Sequence, residues 1–249
     1  MELQLIRNAT MKLTYAGSTI LTDPMLVPKD KFAPFAGLAR NPTVDLPFPA
    51  EEVAKGLDAV VVSHDHIDHF DKKAGAILPK DIPLFCQPGD EARMSGDGFR
   101  TVMPVDTTRT WKGITITRTG GLHGQGKILE FTGMVSGFVF QADDEPTVYW
   151  TGDTIWCDPV AEAVAAFRPD VIVTHSGGAR LPNSGFIIMN DEQTLELLRA
   201  APKTAVVAVH LEALDHCTVT RQALRDLADR QGIPPSRLMI PADGETLGF

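Results

Sequence analysis

The stretch Val60-Val61-Val62-Ser63-His64-Asp65-His66-Ile67-Asp68-His69 decides how this chain is read. Ala59 to Val62 is a short, valine-rich apolar run, which is the pattern of a buried strand. It breaks abruptly into three histidines and two aspartates within six residues, although the whole chain holds only seven histidines. On an extended segment His64 and His66 point the same way and can share one cation, while Asp68 and His69 are offset and can serve a second. Imidazole and carboxylate are the donors that borderline cations such as zinc prefer. An ordinary solvated loop would not gather these groups, because packing them together contributes nothing to stability.

Working outward, four further strand-like runs end in similar chemistry. Ile114 to Thr117 leads through Gly120-Gly121 to His123, and Thr147 to Trp150 leads to Gly152-Asp153. Val171 to Val173 ends at His175, and Ala205 to Val209 ends at His210. Sites in α/β sheets form at the carboxyl ends of strands, so five loops are expected to bring His and Asp to one sheet edge. His216 competes with His210 for a ligand role, and the strand ending directly at His210 favours the latter. His175, followed by Ser176-Gly177-Gly178, reads either as a substrate contact beside anion-binding N–H groups or as a hydrogen-bonded neighbour of the site. Asp23 reads as a carboxylate that orients a ligand histidine, or as a turn cap before Pro24. Trp150 and Trp156 read as core or pocket wall.

The remaining chain supplies a scaffold. Alternation from Leu3 to Leu21 around Gly17 predicts a hairpin. Pro24 to Pro49 holds six of the 18 prolines and predicts a long irregular excursion, either functional or a surface insertion. Asp158-Pro159, Asn190 or Asp191, and Thr220 each open a 3.6-period apolar pattern, predicting three capped helices. Strands alternating with helices imply a layered α/β architecture, and no repeat or linker divides it, so residues 1–249 are expected to form one domain.

Composition excludes several classes. With 43% apolar residues the chain can bury a core, and its net charge of -9 argues against nucleic acid or an anionic membrane as partner. Three widely spaced cysteines and the lack of a signal-like or membrane-length apolar run predict a soluble, cytoplasmic protein. Gly121 to Lys127 has P-loop spacing, but Ile128 stands where Ser or Thr would hold magnesium. No GxSxG elbow is present, and no cysteine has the local features of a nucleophile.

His64-Asp65-His66-Ile67-Asp68-His69 resembles the HxHxDH signature of the metallo-β-lactamase fold superfamily. His123, Gly152-Asp153-Thr154 and His210 follow in the matching order. The Asp23-Pro24 pair, the compact length and the stretch Ile188 to Glu192 look most like its ascorbate-6-phosphate lactonase-like branch. The resemblance implies an α/β fold, a four-layer αβ/βα sandwich. It implies two divalent transition metals, zinc first with manganese or iron as alternatives. One would be held by His64, His66 and His123, the other by Asp68, His69 and His210, with Asp153 bridging. A hydroxide between them would be the nucleophile, with Asp68 passing a proton to the leaving group. Asp68, Asp153 and His175 are thus the candidate catalytic residues. The expected activity is hydrolysis of a small, anionic lactone, ester or phosphoester, by a monomer or homo-oligomer. An iron-containing redox or oxygen-using protein and a noncatalytic metal-binding protein are the alternatives.

Overall fold

A computed structural model describes residues 1–249, and its strands divide into two seven-stranded sheets. The first half of the chain forms β1 (Glu2–Arg7), β2 (Thr10–Tyr15), β3 (Ser18–Thr22), β4 (Ala59–Val62), β5 (Leu84–Cys86) and β6 (Val102–Pro104). The second forms β7 (Thr108–Trp111), β8 (Ile114–Thr119), β9 (Gly137–Gln141), β10 (Val148–Trp150), β11 (Val171–His175), β12 (Ala205–Val209) and β13 (Leu238–Met239). The last strand, β14 (Thr246–Gly248), returns to pair with β1 and completes the first sheet.

Each sheet begins as an antiparallel meander and continues as parallel strands. The expected hairpin is therefore one half of a three-stranded meander, β1–β2–β3. Its second turn, Ala16-Gly17, has φ of 46° and 72°, the doubly left-handed turn that matches the twist of two adjacent strands. Helices α1 (Ala50–Val53), α2 (Lys72–Ile77) and α3 (Glu91–Gly96) carry the first sheet's parallel crossovers. After the short α4 (Leu129–Thr132), helices α5 (Asp158–Phe167), α6 (Asp191–Ala200) and α7 (Arg221–Arg230) do the same for the second sheet.

Three apolar layers hold the sandwich. Leu5, Leu13, Val61 and Phe85 of the first sheet meet Ile116, Phe138, Trp150, Val173 and Val207 of the second. Val60, Val62, Phe70 and Ala74 pack the outer face under α2, while Ile172, Val206, Leu195 and Leu224 do so under α6 and α7. The four-layer αβ/βα order follows: strands buried on both faces read as continuous apolar runs, as β4, β11 and β12 do. Asn190 and Thr220 cap α6 and α7 by accepting from the N–H of Gln193 and Ala223. Cys157, rather than Asp158, occupies the cap position of α5, with Pro159 in its first turn.

From 24 to 49 the backbone is irregular, as its prolines dictate. Buried Arg7 ties it down, donating to the carbonyls of Met25, Val27 and Val44. No helix is long and apolar enough to cross a membrane.

Candidate metal centre and active site

The functional side chains lie at the carboxyl ends of strands, but of both sheets rather than one. β3 and β4 deliver Asp23 and the His64-to-His69 turn from the first sheet. β8, β10, β11 and β12 deliver His123, Asp153, His175 and His210 from the second. Two donor clusters result. His64, His66 and His123 form one, and His69, Asp153, His175 and His210 the other, with donor atoms within 4.8 Å of one another in each. Asp68 faces the second cluster, its Oδ2 3.6 Å from His69 Nε2 and 3.5 Å from His210 Nε2. Asp153 Oδ2 stands between the clusters, 3.1 Å from His69 Nε2 and 3.5 Å from His123 Nε2.

Close backbone approach makes this possible. Gly152, at φ 65°, places Asp153 where a Cβ would stand 2.4 Å from the Ser136 carbonyl oxygen. A Cβ on Gly177 would lie 2.0 Å from the carbonyl oxygen of His210. Asp23 and His210 themselves carry φ of 37° and 59°, a left-handed conformation that non-glycine residues adopt at a cost.

A surrounding set of hydrogen bonds fixes which nitrogen of each ring faces the site. Asp23 accepts from Ser63 N (2.7 Å), Ser63 Oγ (2.7 Å) and His69 Nδ1 (2.5 Å). With Nδ1 committed to Asp23, His69 Nε2 is the nitrogen turned toward Asp153 Oδ2, 3.1 Å away, where a metal would take the place of its proton. Because Ser63 gives its proton to Asp23, it accepts from His64 Nδ1 at 3.0 Å, leaving the lone pair of His64 Nε2 to accept from His66 Nδ1 at 2.9 Å. His123 Nδ1 donates to the Ile187 carbonyl at 2.8 Å, leaving its Nε2 for the site. Ligand imidazoles are normally held this way.

His175 differs from the other histidines. It is fully buried, its Nε2 accepts from Trp150 Nε1 at 2.9 Å, and its Nδ1 donates to Asp153 Oδ1 at 2.5 Å. With both nitrogens engaged it holds Asp153 in place, which matches the second of its two sequence readings, a hydrogen-bonded neighbour of the site. The expected anion-binding turn is likewise occupied: the N–H groups of Ser176 and Gly178 bond the carbonyls of Val209 and Met189. Trp150 is inter-sheet core.

The electrostatics favour cations. Burial lowers the pKa of His64, and that of His123 to about 4, so both stay neutral. For His69 and His210 burial also opposes the charged form, but carboxylates, Asp153 foremost, outweigh it and raise both well above the usual range. Burial would raise Asp68 and Asp153, yet the surrounding imidazoles hold both well below it. The site thus gathers protons where metal charge would serve. His210 Nε2 is buried without any hydrogen-bond partner, facing Asp68 and Asp153, as expected of an atom shaped for an ion. The two donor clusters therefore fit divalent metal.

A cavity of about 470 Å³ opens on these groups. His66, Asp68, His123 and Asp153 form its floor, while Pro34, Phe35, Ile67, Phe131, Leu181 and Pro182 form much of its wall. The proline-rich excursion therefore has a place: it supplies one side of the pocket. Asp215 anchors that side, its carboxylate accepting from the N–H groups of Phe35, Ala36, Leu38 and Ala39 and from Asn41 Nδ2. Phe35 and Asp215 carried no signal in the sequence, and His216, weighed there against His210 as a ligand, lines the cavity.

The family described as beta-lactamase superfamily domain matches residues 18–211, and UPF0173 protein YddR of Bacillus subtilis is 36% identical over the full length of both chains. This chain is a UPF0173 member of the beta-lactamase superfamily. An isothiocyanate hydrolase from Delia radicum gut bacteria has a similar structure, with 37% identity, a TM-score of 0.93, and coverage of 100% of this chain and 99% of that one. A UPF0173 metal-dependent hydrolase of Azorhizobium caulinodans is 25% identical over 71% of this chain and 73% of its own. The UPF0173 chain described here is an enzyme of the metal-dependent hydrolase class.

Proposed function

We propose that this enzyme hydrolyses a small, neutral electrophile carrying an apolar substituent, with an isothiocyanate as the leading substrate, at a two-metal centre of zinc or a similar divalent ion. The pocket carries the reading. Its lining contains no lysine or arginine, and most of its wall is proline, phenylalanine, leucine or isoleucine. An anionic phosphoester or lactone phosphate would find no fixed cation among the side chains that line it, which favours a neutral substrate over the anionic one expected from the sequence. The likeness to an isothiocyanate hydrolase over the whole chain supports the same conclusion.

In this reading His64, His66 and His123 would hold one metal, and Asp68, His69 and His210 the other, with Asp153 within reach of both. Bound there, the metals supply Lewis acidity and hydroxide at neutral pH. The chain's residues do the rest. Asp23, Ser63 and the Ile187 carbonyl keep the ligand rings in one tautomer, and His175 keeps Asp153 in register. The apolar wall excludes competing water and seats the substituent. Asp68, at the pocket floor with its carboxylate ionised, is placed to carry a proton from the attacking water to the substrate's nitrogen.

The test is elemental analysis of purified protein, followed by assay of the metal-loaded form on phenethyl isothiocyanate, a lactone and a phosphodiester. About two metals per chain and turnover of the isothiocyanate alone are expected. Equal turnover by chelator-stripped protein, or preference for the phosphodiester, refutes the proposal.

A further inference from the structure

His216 is the one histidine that the metal centre and its hydrogen bonds do not use. Its ring is 6% exposed, lines the cavity, and lies 6.4 Å from the His210 ring, centroid to centroid. Its Nδ1 is buried with no hydrogen-bond partner. Leaving a buried polar atom unpaired costs ~1–3 kcal/mol, and because His216 lines the cavity, a molecule seated there is the partner at hand for its ring. Packing alone sets the ring's orientation: Phe35 meets it edge-on, with centroids 5.1 Å apart and planes at 86°. Phe35 is in turn fixed by the Asp215 carboxylate through its backbone N–H at 2.9 Å. A neighbouring residue thus braces the wall that aims the imidazole. A ring held by packing keeps its hydrogen-bonding capacity for a third party.

We propose that His216 is a catalytic residue that hydrogen-bonds the substrate's reacting heteroatom, while Phe35 holds it in position and seats the substrate's apolar substituent. The proposal rests on the isothiocyanate reading. In that reaction the oxygen of water adds to the central carbon of R–N=C=S and a C–O bond forms. The C=N π bond breaks, its electron pair goes to nitrogen, and the nitrogen takes up a proton released by the water. Charge therefore accumulates on one heteroatom of a substrate that otherwise carries none. A donor waiting in an apolar wall stabilises that charge more than it stabilises the neutral ground state.

The experiment compares wild-type enzyme with His216→Leu, His216→Asn and His216→Gln in the metal-loaded form. Metal content, phenethyl isothiocyanate kinetics and thiocyanate binding are measured for each. Thiocyanate is a linear N–C–S probe that needs no turnover. His216→Leu should keep its metals and lose about 100-fold in kcat with little change in KM, since one such donor is worth ~10²–10³ in rate. At least one of the two amides, which place a donor near Nδ1 or Nε2, should recover part of that loss. Thiocyanate should bind His216→Leu more weakly than wild type. Loss of metal in His216→Leu would make the residue a ligand and overturn the proposal, as would unchanged kcat together with unchanged thiocyanate binding. If wild type turns over no isothiocyanate yet still binds thiocyanate more tightly than His216→Leu, the substrate reading fails and the contact stands.

Discussion

Replacing Asp23 by Asn tests whether tautomers, rather than positions alone, make the metal site. Asp23 is wholly buried and accepts three hydrogen bonds, two of them from Ser63 and one from His69. Asparagine has almost the same shape, but only its oxygen can accept from the Ser63 backbone N–H. Its amide nitrogen must then face both Ser63 Oγ and His69 Nδ1, and it can only donate. His69 Nδ1 becomes an acceptor, and its proton moves to Nε2, the atom that faces Asp153. Ser63 Oγ is released to donate to His64 Nδ1, which drives the His64 proton to Nε2 as well. One substitution thus blocks a donor in each cluster. Disturbing one ligand's hydrogen-bond partner typically costs 10–100-fold in metal affinity. Each of the two metals should therefore bind ~10–100-fold more weakly, or about 1.4–2.7 kcal/mol per site. Asp23→Ala is the contrasting variant: it strands buried donors and should be less stable, yet it imposes no tautomer. Chelator competition should therefore rank metal affinity as wild type, then Asp23→Ala, then Asp23→Asn, while denaturation of the metal-free proteins places Asp23→Asn above Asp23→Ala. Two metals bound by Asp23→Asn with wild-type affinity would refute the reasoning.

Trp150→Phe removes the donor to His175 Nε2 inside the inter-sheet core and should cost about 1–3 kcal/mol in denaturant unfolding, with loosened metal binding through Asp153. Asp215→Ala should raise KM and expose the 35–39 backbone, seen as lost hydrogen-exchange protection there. The same protection should fade in acid. Burial would raise the Asp215 pKa, but Asn41 and the backbone N–H groups bring it down to about 2 from 3.8, so its contribution is complete above about pH 4 and is lost as pH falls toward 2. Metal added at 100-fold its dissociation constant should stabilise the fold by about 2.7 kcal/mol per site, read as a fall in Tm on chelation.

The gathering of the donor residues was legible because most of them follow buried, β-branched runs, and a strand's end is a fixed address in this architecture. Sheet membership was not legible: β4 and β10 have the same apolar pattern, and nothing local says that they face each other across a core. His175 illustrates the same limit. It ends β11 as His210 follows β12, but the Trp150 indole that occupies its second nitrogen lies 25 residues away. The pocket wall was hidden for a similar reason, since Phe35 is placed by a carboxylate 180 positions later. Net charge, in turn, reported the whole surface and was silent about a pocket whose wall is mostly apolar.

Each donor cluster draws on both sheets, with His64 and His66 meeting His123, and His69 meeting Asp153 and His210. Metals held as proposed would span the seam of the sandwich, so any fluctuation that parts the sheets would first have to give them up. Their binding free energy is added to the barrier against that opening in particular. The loaded enzyme should then exchange its inter-sheet amides only through global unfolding, while the stripped enzyme keeps a lower-energy route in which the two halves separate as units. The metals would serve as rivets as well as reagents.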